Sequence, residues 1–139
     1  MASVRVPGRL RRGASGPLAT LIPTAFTLVG AIVIGVSGVR GADYPAHFLR
    51  AELWREVGLS VWNFRWYGGH ATTTYSVIVP PLSAWFGVFA VGAVASVVGT
   101  WMFARTAMAY SRSTWAVVGS FAFALNAIVN VLVGRVPFA

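Results

Sequence analysis

The chain has 139 residues, of which 57% are hydrophobic and 10% charged, and its net charge is +8. So apolar a composition cannot supply an ordinary water-facing surface, which makes a bilayer the expected solvent. The eleven basic residues are all Arg but do not form the basic runs that accompany nucleic-acid binding, and the lack of Cys excludes disulfides, thiolate catalysis and Cys-ligated zinc.

In chain order, residues 1–17 read as a basic cytoplasmic tail with Arg5, Arg9, Arg11 and Arg12 and no acid. The apolar run over 18–39 is longer than the core of a secretory signal, and "GVSGVRGA" is a poor cleavage site, so the run is expected to stay as a first transmembrane helix. Pro23 falls in its first turns, where a missing backbone donor costs little. Residues 40–76 form an extracytoplasmic loop, and 77–104 a second crossing, regular from about residue 80 because "VPPL" favours a helix start. A cytoplasmic connection over 105–113 carries Arg105 and Arg112 ahead of a third crossing over 114–134.

Placing the basic tail and the 105–113 connection inside satisfies the positive-inside tendency and predicts a multi-pass protein of the cell membrane with its N-terminus in the cytoplasm. The expected fold is all-α: an integral membrane protein of three transmembrane helices, with an amphipathic helix in the loop between the first two. Three such helices make a thin bundle, and "GRVPFA" at 134–139 follows the third directly, which predicts a fragment of a larger helical bundle.

All three acids, both histidines and four arginines lie between Arg40 and His70. Over 43–58 the stretch "DYPAHFLRAELWREVG" reads as a helix with Asp43, His47, Arg50 and Trp54 on one face at i, i+4, i+7, i+11. Ala46, Leu49, Leu53 and Val57 line the neighbouring face, expected to lie down on the membrane. Asp43 has two compatible readings, an N-cap of this helix and a general base at the water boundary. Glu52 and Glu56 read as solvated ion pairs with Arg55 or Arg50. Asp43, His47 and His70 would be a sparse shell for a divalent ion, so no metal is expected.

The following stretch, "VWNFRWYGGH", sets Trp62, Phe64, Trp66 and Tyr67 around Asn63 and Arg65. An interfacial aromatic belt with a glycine turn is one reading. The other is a site for a ligand with apolar and anionic parts, in which rings stack and Arg65 forks onto phosphate oxygens.

A basic tail, one crossing, "GADYPAH", an amphipathic helix, "VWNFRWYGGH", "PPL" and further crossings, in that order, resemble the N-terminal part of the polytopic GT-C glycosyltransferases and related bacterial membrane proteins. The likeness covers roughly 18–104. It implies transfer of a sugar from a polyprenyl-phosphate donor on the extracytoplasmic face, with Asp43 as the catalytic base and His47 assisting, while Trp62, Trp66, Tyr67 and His70 are the loop's own candidates for contact with the substrate. Charge and placement nominate Arg50 and Arg65 for the leaving phosphate. Some members carry paired acids and a metal ion. The single acid of "GADYP" implies a metal-free variant without a cofactor, and "ATTTYSVIV" is more polar than the lead those enzymes place before the prolines. The lipid-linked donor and membrane lipid are the expected partners, and further helices, C-terminal or from a partner, would be needed to enclose them. The alternative expectation is a small non-catalytic helical membrane protein whose loop binds a partner or lipid.

Within the crossings, Gly92, Ser96 and Gly99 predict a small-residue packing seam, and Asn126 and Asn130, one turn apart, predict interhelical hydrogen bonding.

Overall fold

The structure is a computed structural model and describes residues 16–60, 62–65, 67–70, 72–73 and 76–136. Among them five helices follow in order: α1 Leu18–Ser37, α2 Tyr44–Val57, α3 Val79–Phe86, α4 Val88–Tyr110 and α5 Thr114–Val133. Between α2 and α3 a two-residue antiparallel ladder pairs β1 (Trp62–Asn63) with β2 (Thr72–Thr73) around a 3-10 turn at Tyr67–Gly69. Among the described residues the regular structure is otherwise all-helical.

Among the described residues three helices are long and apolar enough to span a membrane: α1 with 20 residues, α4 with 23 and α5 with 20. At 1.5 Å per residue they reach about 30, 34 and 30 Å, against a hydrocarbon core of about 30 Å. Most residues buried between them are small: Thr27 and Ala31 on α1, Gly92, Ser96, Thr100 and Ala104 on α4, and Ala116, Ser120, Ala124 and Ala127 on α5, with Pro23, Ile34, Val88 and Val131 the larger ones. Large side chains point outward, Val36 at 85% exposure and Trp115 at 80% among them. In water this inversion would forfeit the hydrophobic effect, whereas in lipid it is the expected arrangement, because close backbone approach and not exclusion of apolar surface drives helix association. Thr27 and Thr100 meet across the seam with their hydroxyl oxygens 3.1 Å apart, and each hydroxyl also bonds a carbonyl one turn earlier on its own helix.

Gly92 and Ser96 stand in this seam as the sequence indicates. The asparagines divide. Asn130 is half-buried, but Asn126 is exposed on α5 and makes no side-chain hydrogen bond to the described residues, so the expected interhelical bond does not form there.

The stretch 77–104, expected as one crossing regular from about residue 80, is divided at Gly87. The backbone there has φ 89° and ψ 143°, a conformation nearly confined to glycine, and it ends α3 before α4 begins. The second crossing is therefore α4, which runs on to Tyr110 and takes in Arg105, a residue expected in the connection.

Short α3 packs beside α2 instead of entering the bundle. Arg55 of α2 donates through Nε to the Ala84 carbonyl of α3 at 3.1 Å. Ala51 of α2, Val88 of α4 and Val136 form a small core with Tyr44, Val79, Ala84 and Val91 packed on it. The face of α2 that turns toward the other helices is Tyr44, His47 and Ala51, and the Ala46, Leu49, Leu53 and Val57 stripe, expected to lie on the membrane, is half-buried to exposed. Val57 is exposed while Ala51 is 1% exposed. The small Ala51 side chain lets α2 sit close against Val88 at the start of α4 and Val136 just beyond α5.

Candidate functional site

Asp43 immediately precedes α2, in the N-cap position, and Pro45 occupies the first turn as expected. The N-cap hydrogen bond itself is absent. Asp43 is already in a helical conformation (φ −86°, ψ −11°), which turns its carboxylate away from the amides behind it. Its Oδ2 instead accepts a hydrogen bond from Arg135 Nε at 3.0 Å, across 92 residues of chain.

This pairing is built by backbone contact. A Cβ on Gly41 would lie 2.2 Å from the Val133 carbonyl, so only glycine lets the strand into α2 touch the end of α5. The Asp43 amide then donates to the Val133 carbonyl at 3.1 Å. Residues 41–44 and 133–136 form one clasp, with the Asp43 and Arg135 side chains on its open side, 45% and 59% exposed.

His47 lies one turn along α2 and is buried at 4% exposure. Burial pushes its pKa below the ordinary 6.5, the Arg50 guanidinium pushes in the same direction, and the Asp43 carboxylate opposes them. At neutral pH it is therefore an uncharged imidazole. Among the described residues no hydrogen bond joins it to Asp43, so the pair shares a helix face and an electrostatic field but not a proton bridge.

Arg50 lines a cavity of about 20 Å³ with Trp54, Leu59, Ser60 and Pro80. That volume admits about one water molecule and no sugar ring. Arg65 pairs with Glu56, and Arg55 with Glu52. Trp62 and His70 are exposed around the ladder. Trp66 lies outside the described residues, and of Tyr67 the structure describes the backbone alone. Asp43, His47 and Arg50 are thus gathered on one helix, whereas Arg65 turns to Glu56, and no described contact brings Trp62 or His70 to Asp43. No group of three His, Asp or Glu side chains comes together among the described residues.

The participant missed by sequence reasoning is Arg135. Crossing parity was the available signal: three crossings bring the end of α5 to the same side as the loop, and of the three acids Asp43 is the one whose arginine is remote. No protein-family model, curated protein or solved structure matches the chain.

Proposed function

We propose that the chain carries the catalytic first loop of a membrane glycosyltransferase resembling the GT-C type, which transfers a sugar from a polyprenyl-phosphate donor on the extracytoplasmic face. The N-terminus is then cytoplasmic, and the membrane is the cell membrane. Asp43 is the general base. It accepts the acceptor hydroxyl proton while that oxygen bonds the anomeric carbon, and the bond from that carbon to the phosphate oxygen breaks with its electron pair leaving on the lipid phosphate. Arg50 is the proposed counter-charge for that phosphate, and Arg65 can join it only on leaving Glu56. Helices beyond the described ones would enclose donor and acceptor.

The observation that carries this reading is the presentation of Asp43: a partly exposed carboxylate whose backbone is fixed by the clasp and whose Oδ2 is held by Arg135, with Oδ1 taking no hydrogen bond from the described residues. A strained or buried acid could not meet an acceptor at the interface, and a loose one would not be oriented.

A second reading rests on the same ion pair. If Arg135 is the whole reason for Asp43, the pair is a latch, and the protein is a non-catalytic membrane protein whose loop binds a partner or lipid. Asp43→Asn and Arg135→Gln separate the two, assayed in membranes supplied with polyprenyl-phosphate sugar. A base predicts that Asp43→Asn abolishes transfer at temperatures where the protein stays folded, while Arg135→Gln retains part of it. Unchanged transfer in folded Asp43→Asn would reject the catalytic role.

A further inference from the structure

All three carboxylates of the chain are engaged: Asp43 by Arg135, Glu52 by Arg55 and Glu56 by Arg65. Arg40 is held differently. Its guanidinium lies over two rings, 4.9 Å from the centroid of Phe89 and 5.4 Å from that of Tyr44, and donates one hydrogen bond to the Val39 carbonyl at 2.9 Å. The two rings hold the guanidinium in place, and no side-chain carboxylate among the described residues pairs with it.

Phe89 has a second neighbour. It forms one end of an apolar groove between α1 and α4, with Leu28, Ile32, Ala93 and Val97 along its walls and a cavity volume of about 230 Å³. The ring fits there because Gly35 has no side chain; a Cβ at that position would stand 3.1 Å from it. From Phe89 to Val98 the groove descends α4 by about 14 Å, close to the depth of one leaflet. A preset cation therefore stands at the mouth of a chain-shaped apolar slot at the end of a membrane-spanning helix.

We infer that the α1–α4 groove, with Arg40 at its mouth, is a binding site for an anionic glycerophospholipid of the leaflet on the α2 side. The headgroup phosphate accepts hydrogen bonds from the Arg40 guanidinium, and one acyl chain lies against Leu28, Ile32, Ala93 and Val97. Arg40 belongs at the headgroup level whichever way the protein faces, and a phosphate supplies the counter-charge that the chain's own acids do not. The site is separate from Asp43 and does not depend on the proposed sugar transfer.

The test is lipid retention by the purified full chain in detergent, read by native mass spectrometry after adding phosphatidylglycerol or phosphatidylcholine with the same acyl chains. Phosphatidylglycerol is expected to be retained preferentially. Arg40→Gln is expected to lower its retention about tenfold, the scale of one charged hydrogen bond, and to lower that of phosphatidylcholine less, because the choline ammonium already counters its phosphate. Ile32→Trp, which fills the slot from a lipid-facing position and so spares the fold, is expected to lower retention of both. Glycerol 3-phosphate, a headgroup without chains, is expected not to displace the bound lipid. Equal retention of the two lipids, or wild-type retention by Arg40→Gln, overturns the site. Stronger retention of a polyprenyl phosphate than of phosphatidylglycerol at equal concentration overturns the lipid class.

Discussion

Single residues at the loop divide into those that hold the clasp and those that carry charge, and their substitutions should differ in size. Arg135→Gln removes an exposed ion pair and should lower stability by no more than about 1 kcal/mol. Gly41→Ala inserts a methyl group into the Val133 carbonyl and should cost about 1–3 kcal/mol, while also parting Asp43 from Arg135. Thermal unfolding in detergent reads both. His47 adds a pH dependence. Its folded pKa lies below the unfolded 6.5, so the unfolded chain binds its proton first. The stability it contributes is present above pH 6.5 and is lost as pH falls from 6.5 through the lower folded value. His47→Gln should remove that slope from the acid side of the stability profile. The presence of Asp43 and His47 on one face was legible from four-residue spacing. That His47 is buried was not, because burial depends on elements from elsewhere in the chain that pack against α2.

At the level of elements, the three spans were legible because a charge-free apolar run of sufficient length has few alternatives to a membrane helix. The break at Gly87 was not. Proline at Pro80 and Pro81 announced a helix start, but the glycine that ends it six residues later lies inside an unbroken apolar run, and only its positive φ marks it. Gly87→Ala should cost about 1–3 kcal/mol, or else fuse α3 with α4 and draw α3 off α2, which hydrogen exchange at Arg55 and its neighbours would register. Thr100→Val removes a contact between crossings and should lower stability by about 0.6 kcal/mol, again by unfolding in detergent. Apolar periodicity in α2 marked the side of Ala46, Leu49, Leu53 and Val57, and it carried no sign that Tyr44, His47 and Ala51 pack against the other helices.

For the whole molecule, bundle geometry joins places that are far apart in sequence. The N-terminal end of α1 and the C-terminal end of α4 meet where Gly16, Pro17 and Thr20 share a cavity with Arg105 and Arg112. Loop, ladder and α3 gather at the opposite end. The proposed orientation puts the arginines of the first end in the cytoplasm, and the absence of native Cys makes the test direct. Leu59→Cys should react with an impermeant maleimide on intact cells, and Ser111→Cys only after permeabilisation. The reverse pattern would move Asp43 to the cytoplasmic side and remove the proposed extracytoplasmic chemistry.

The clasp between residues 41–44 and 133–136 also sets an order of events during synthesis. Asp43 leaves the ribosome 92 residues ahead of Arg135. Until α5 has been inserted, the amide of Asp43 lacks its carbonyl and α2 lacks the support of Val136. Nascent chains arrested after Tyr110 should therefore expose α2 to protease, and those extended past Val136 should protect it. Maturation of the first loop is thus timed by the arrival of the third crossing.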